Sequence, residues 1–314
     1  MTEDNLEEII KKKNTQVVGK LEEKRLKKIE LEKIGGIPEV ITEDYIIKSG
    51  IYSIDHDIRV ENCKLTIEKD TTINFSTDKG IYIGMYSHDN NGQLITQGTS
   101  AEPIILQARI SSWKGINIIY SKKENNIKHT TIKDAKKEKD GGGIYLTNSI
   151  LYIENSTIER CKTTNYGGGM YITDSEIKIY NTQIRKNSAK WGGGLYSSNS
   201  EINIENTTIK ENQARDNQGG GVAAYKSEIR ITRSSIRKNS AHRGGGISIL
   251  DSTVTIDDST ITNNCAEDLL KEGFSIEGYI DKGRGGGIDN DKSLIIQHGI
   301  NDITNNTPDN ISEN

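Results

Sequence analysis

Aromatic residues make up only 5% of this 314-residue chain, and two phenylalanines and two tryptophans are all it has besides tyrosine. Apolar residues of every kind reach 32%. That is too little for the thick core of a compact globule of this length, but enough for an elongated fold with a thin core. Three cysteines, Cys63, Cys161 and Cys265, cannot make a disulfide framework. The last two fall four repeats apart, roughly 19 Å at strand spacing, so all three are expected to be free, buried thiols. No apolar run approaches the ~20 residues of a membrane-spanning helix, so no membrane insertion is expected. A net charge of −4 gives no basis for nucleic-acid binding. His56, His88, His129, His242 and His298 are scattered without metal-ligand spacing, and neither a metal nor a cofactor is expected.

Glycine, by contrast, is frequent and regularly placed. Gly-Gly-Gly begins at Gly141, Gly167, Gly192, Gly219, Gly244 and Gly285, in steps of 26, 25, 27, 25 and 41 residues. Each triplet opens much the same pattern, with an aliphatic residue at offset 3, Ser at 8, aliphatics usually at 10, 12 and 17, and usually Asn at 20. The unit Gly167, Met170, Ser175, Ile177, Ile179, Ile184, Asn187 shows it plainly. Alternation such as Glu176-Ile177-Lys178-Ile179 has the period of a strand with one face buried. Short strands separated by Gly, Ser and Asn corners fit in 25 residues when the chain coils and each coil stacks on the next, ~4.8 Å away.

The expected architecture is therefore all-β, a parallel β-helix with one chain winding about ten coils over residues 37–306. Ile153, Ile179, Ile204, Ile231 and Ile256 should form one buried ladder, and Ile158, Ile184, Ile209, Ile236 and Ile261 a second. Asn187, Asn212, Asn239, Asn264 and Asn306 should stack as an amide ladder that satisfies corner backbone groups. Counting from Gly115 puts Ile118, Ile127, Thr130, Ile132 and Ala135 at offsets 3, 12, 15, 17 and 20 of a degenerate coil. Apolar runs Ile51–Ile54, Leu65–Ile67, Ile73–Phe75, Ile81–Ile83, Leu94–Ile95 and Ile104–Leu106 read as strands of less regular early coils.

Residues 1–36 carry dense charge of both signs, with Leu6, Ile9, Ile10, Val17, Leu21 and Leu31 at helical spacing. They read as an N-terminal helical arm that caps the first coil, whose unpaired edge needs cover. Residues 307–314 read as a disordered tail. The open coil ends are the surfaces expected to self-associate. The acidic start Met1-Thr2-Glu3-Asp4, with no apolar stretch behind it, argues against an export signal and for the cytoplasm.

These columns resemble the right-handed parallel β-helix repeat proteins of the pectate-lyase-like superfamily. Ile184-Arg185-Lys186-Asn187 and Ile236-Arg237-Lys238-Asn239, each paired with its Gly-Gly-Gly, resemble the polymorphic outer-membrane protein repeat. Leu65-Thr66-Ile67, Thr72-Ile73-Asn74-Phe75, Gly98–Ile104 and Trp113-Lys114-Gly115-Ile116 are similar to early coils of bacterial surface β-helices. The resemblance implies a right-handed coil and an extracellular or cell-surface location. It leaves activity open, since the superfamily holds lyases, hydrolases, epimerases, adhesins and inert spacers.

A hydrolase of that kind would need paired aspartates, a His-Gly and a downstream Arg-x-Lys. Asp257-Asp258 and His298-Gly299 are present without the Arg-x-Lys, and read as repeat positions. Nor is there the carboxylate set of a calcium-dependent lyase. The strongest candidate surface is an outward stripe, with Tyr145, Tyr171 and Tyr196 at offset 4 and Tyr166 and Trp191 at the adjacent corner. Such a stripe could stack on sugar rings or an apolar partner, or could reflect packing of like residues in register. The 267–284 insertion, with Phe274, Tyr279, Asp281 and Arg284, should wall one side of it. Glu176, Glu201 and Glu228 form a second outward column, read as a solvated lattice neutralised by Lys178 and Arg230. The expectation is a non-enzymatic β-helix for binding, display or scaffolding, with a polysaccharide or protein surface as partner. The alternative is a polysaccharide lyase or glycoside hydrolase acting along the stripe.

Overall fold

Three corners per turn make the chain close on itself. Each corner is a residue in the left-handed region followed by one whose side chain bonds to a neighbouring coil. In one coil these are Asp174-Ser175, Asn181-Thr182 and Lys186-Asn187, with φ of 49°, 45° and 56° at the first residue of each pair. Left-handed backbone is unfavourable for a residue with a Cβ. The hydrogen bonds made by the second residue offset that cost. Ser175 N donates to Ser200 Oγ at 3.1 Å, Thr182 N to Thr207 Oγ1 at 3.2 Å, and Asn187 N to Asn212 Oδ1 at 3.0 Å. His129, Asn155, Asn181, Asn206, Arg233 and Asp258 belong to these corners, with φ of 43° to 51°.

The computed structural model describes residues 36–84, 91–215, 217–266, 285–307 and 309–313. The expected helical arm, apart from Gly36, lies outside these residues. So does the 267–284 insertion with Phe274, Tyr279 and Arg284. Within them every strand pairs in parallel with the adjacent turns, those at the ends of each sheet on one side only. The result is sheets of 11, 10 and 10 strands that run the length of the rod, plus a fourth sheet of six two-residue strands. One turn contains Met170–Thr173 on the first face, Glu176–Tyr180 on the second, Gln183–Arg185 on the third, and the short Ser188–Ala189. No described residue is helical.

The side chains pointing inward form the expected ladders. Ile179, Ile204, Ile231 and Ile256 are register partners in series, each at most 1% exposed. Ile158, Ile184, Ile209, Ile236 and Ile261 line the next wall at 0%. Burying one such side chain stabilises the fold by about 1.5–3 kcal/mol. The amide ladder runs beside them. Asn212 Nδ2 donates to Ile184 O at 2.9 Å and to Asn239 Oδ1 at 3.0 Å, and the same bonds recur at Asn187, Asn239 and Asn264. Glycine serves two different purposes within a triplet. Gly167 has φ of +69°, whereas a Cβ on Gly168 would sit 2.5 Å from Gly193 O in the next coil. Both must lack a side chain.

Four expectations need correction. Gly115 aligns with the third glycine of the next triplet, since Ile116 pairs with Ile144 and Ile118 with Leu146. Four residues, Tyr120 to Lys123, form that corner where later coils use two, so counting from Gly115 is right only beyond it. Cys265 is partly exposed, because it is the outward residue of the short strand Cys265–Ala266, while Cys63 and Cys161 are free and buried. The tail expected to be disordered adds a strand, Ile311–Glu313, to Ile288–Asp291, since that edge offers unpaired backbone groups. Strands Val40–Ile41, Tyr45–Ile47 and Ile58–Val60 were not anticipated. The other early strands stand where the apolar runs place them.

Candidate functional site

Register alone brings the aromatic stripe together. Asn117, Tyr145, Tyr171, Tyr196 and Ala223 are successive partners on the first face. Adjacent coils lie ~4.8 Å apart, close to the distance at which aromatic rings stack. Tyr145 and Tyr171 stack at 5.1 Å and 13°, and Tyr171 and Tyr196 at 5.6 Å and 3°. Tyr166 leans on them, 4.6 Å from Tyr196 and 6.3 Å from Tyr171, with Trp191 6.0 Å behind. The five rings form one cluster.

Their mutual stacking limits what the stripe can offer. The faces of Tyr171 are both covered by its neighbours, so a ligand along the rod meets ring edges and phenol groups rather than stacking platforms. Burial pushes the Tyr145 phenol up, and pushes those of Tyr171 and Tyr196 up to about 12, with the nearby Asp140 charge adding to each. All three are therefore neutral hydroxyls at ordinary pH. Towards the C-terminus the column changes to Ala223, Ser248 and Asp289, all nearly buried, and Ser248 Oγ donates to Gln218 Oε1 at 3.2 Å.

Towards the N-terminus the stripe opens into a cleft of about 870 Å³, lined by Asp78, Tyr82, Lys114, Asn117, Lys137, Asp140 and Tyr145 among others. The topology explains why it is there. The fourth sheet begins with Lys136–Lys137, and the coil before it reaches that strand only through Trp113, which bridges Ala135 and whose carbonyl accepts from Lys136 N at 2.8 Å. The loop up to Asp140 is left facing the Asp78 and Tyr82 coils across a gap.

Lys137 stands out from the repeat. It pairs with Thr163, and the same position carries Ala189, Ala214, Ala241 and Ala266 in later coils. Its ammonium donates to Asn117 Oδ1, lies 3.4 Å from Asp140 O, and sits over the Tyr145 ring at 5.0 Å. Asn117 is held in that orientation because its Nδ2 donates to Ile81 O at 3.2 Å and Lys114 O at 3.4 Å. The Asp140 carboxylate is turned elsewhere, accepting from Asn165 Nδ2 at 2.8 Å and Tyr166 N at 3.2 Å. No ion pair joins Lys137 to a described carboxylate. Burial lowers its amine to about 7; the Asp140 charge resists that shift and the Lys114 charge adds to it. The residue as a whole is only partly buried, so the enclosure is local to the amine.

Of the residues singled out from the sequence, Tyr145, Tyr171, Tyr196, Tyr166 and Trp191 come together. Lys137 and Asn117 were missed. The signal for Lys137 was there, as a lysine in an otherwise alanine column. Asp257 and His298 do become register partners on neighbouring coils. Asp258 is accounted for as a corner cap, its Oδ1 accepting from Ile300 N at 2.9 Å. The Glu176, Glu201 and Glu228 column is in register, with Lys178 paired to Glu176 at 2.9 Å.

A family model describing the right-handed beta helix region matches residues 140–308, more than half the chain. The chain belongs to that family. Membership gives the coil its hand, in line with the right-handed crossovers that join parallel strands. No curated protein and no solved structure matches the chain. Membership of this right-handed β-helix family sets the scaffold and no activity.

Proposed function

We propose that this β-helix is a binding protein for a hydroxyl-rich ligand, a carbohydrate chain. The chain's end would sit in the Asn117–Lys137 cleft and its body would run along the phenol edge. The observation that carries this reading is the continuity of the cleft with the tyrosine stack, Tyr145 belonging to both. Neutral phenols and a lysine held in place by the Asn117 amide present donors and acceptors spaced by the coil rise, which suits successive sugar hydroxyls. The test is a panel of polysaccharides scored at once for binding and for new reducing or unsaturated ends. Binding that falls at least about tenfold in Asn117→Ala and Tyr145→Ala, one to two hydrogen bonds' worth, supports it. Binding unchanged in both variants overturns it.

A second reading is favoured by the lowered Lys137 amine. A base that is half neutral near pH 7 can remove a proton beside a carboxyl group and so serve a polysaccharide lyase. A hydrolase fits less well, since it needs two free carboxyls across the bond and Asp140 is already engaged. Unsaturated ends in the same panel, lost in Lys137→Ala, would decide for the lyase.

A further inference from the structure

We propose that Lys137 is a covalent capture site for aldehydes, with the open-chain end of a reducing sugar as its class of ligand. The inference rests on the reading of the cleft as the ligand site. Four observations carry it. Lys137 lies on the first strand of the fourth sheet, with no strand of that sheet before it, and borders a cleft of about 870 Å³. Its nitrogen is held by an amide oxygen and a peptide carbonyl, neither of which keeps an amine protonated as a carboxylate would. The Tyr145 ring covers one side of it at 5.0 Å. Lastly, the repeat carries Thr163 and four alanines at the equivalent position, so packing alone does not call for a lysine there.

A desolvated amine beside another cation is the environment that makes lysine nucleophilic near neutrality, and here Lys114 supplies that cation. The Lys137 nitrogen lone pair adds to the carbonyl carbon and gives a carbinolamine. One amine proton passes to the former carbonyl oxygen to make the carbinolamine hydroxyl, the second amine proton follows it as C=N forms, and the oxygen leaves as water. Nothing is oxidised or reduced, and water is the only product besides the imine. The Tyr145 phenol, kept protonated by burial, lines the same cleft and can exchange protons with the departing oxygen.

Glyceraldehyde with cyanoborohydride, added to the full chain at pH 7, turns the imine into a stable amine that peptide mapping locates. Lys137 should be labelled on the order of 50- to 100-fold faster than its exposed neighbours Lys136 and Lys139. The neutral fraction is about a thousandfold higher than for an ordinary lysine, less the lower basicity of the amine. Lys137→Arg should lose that label alone. Asn117→Asp, which places a carboxylate against the amine, should slow it at least about tenfold. Labelling of Lys137 no faster than of Lys136 and Lys139 overturns the proposal, as does Asn117→Asp labelling at the parent rate. A methyl glycoside, which has no free aldehyde, separates the two readings. Binding of the glycoside without selective labelling refutes covalent capture and leaves the carbohydrate site standing. Selective labelling with no glycan bound supports capture and refutes the carbohydrate reading.

Discussion

Removing one amide from the asparagine ladder should cost far more than its size suggests. The Asn212 side chain takes part in four hydrogen bonds. Its Nδ2 donates to Ile184 O at 2.9 Å and Asn239 Oδ1 at 3.0 Å, and its Oδ1 accepts from Asn187 N at 3.0 Å and Asn187 Nδ2 at 3.1 Å. The site is 1% exposed, so water cannot replace these partners. In Asn212→Ala, Asn239 Oδ1 still accepts from the residue 212 backbone, and Asn187 Nδ2 still reaches Ile158 O. The Asn187 peptide N–H and one of its amide hydrogens are left without partners. At about 1–3 kcal/mol per stranded buried group, the expected loss is about 2–6 kcal/mol. Asn203→Ala is the control: it lies nine residues away on an outward position, its amide only 3.3 Å from Glu201 Oε1, and should stay within about 0.5 kcal/mol of the parent. Urea unfolding followed by circular dichroism compares the two. A broken ladder in mid-rod can also separate the transition into two steps, since coils interact only with their neighbours. If the two variants unfold together, the ladder is not what joins the coils at this corner.

Other tests address the core, the stack, the ladder's first rung and the cleft. Ile204→Ala, 1% exposed, should lose about 2–4 kcal/mol by urea melt. Tyr171→Ala removes two stacked contacts at once and should lose about 1–3 kcal/mol, more than Tyr145→Ala, which ends the stack. Cys161 occupies the asparagine column with Sγ 3.9 Å from Ile132 O, so Cys161→Asn should extend the ladder and gain about 0.5–1.5 kcal/mol, read as a higher melting point. The Lys137 amine is lowered to about 7 in the fold, whereas an unfolded lysine titrates at about 10.4. Between those values the unfolded chain binds the extra proton, so parent stability should rise with pH relative to Lys137→Met, and the gap should be constant below about pH 6.

The regular coils were legible in the sequence because stacking places like residues on like, so each column repeats at the unit length. The corner chemistry was only half legible. The asparagine column declares itself, but Thr182 and Thr207 look like surface threonines until their hydroxyls are found accepting from the previous coil. The Gly115 coil was misread because its two extra corner residues shift the count without changing the strands on either side. Two- and three-residue strands such as Val40–Ile41 carry too little alternation to be seen. At the site, the five aromatics stand together as the repeat offsets place them, and both uses of their faces, stacking on a ligand or on one another, were open from the sequence. The coil spacing decides for the second, since it sets neighbouring rings at stacking distance. Lys137 does not stand out among recurring residues, because a site built on a repeat shows as the residue that breaks a column.

The ladders also run one way. From Asn187 to Asn264 every rung donates its backbone N–H and an amide hydrogen forward to the next oxygen, and Asn310 supplies the acceptor after Asn306. The serine corners point in the same direction. A whole coil copied anywhere in this stretch finds an acceptor ahead and a donor behind, so duplication leaves no group unmatched. A fractional coil breaks all three corner series together. The rod can therefore be lengthened or shortened like a ruler, in steps of ~4.8 Å, while the cleft before Tyr145 stays untouched.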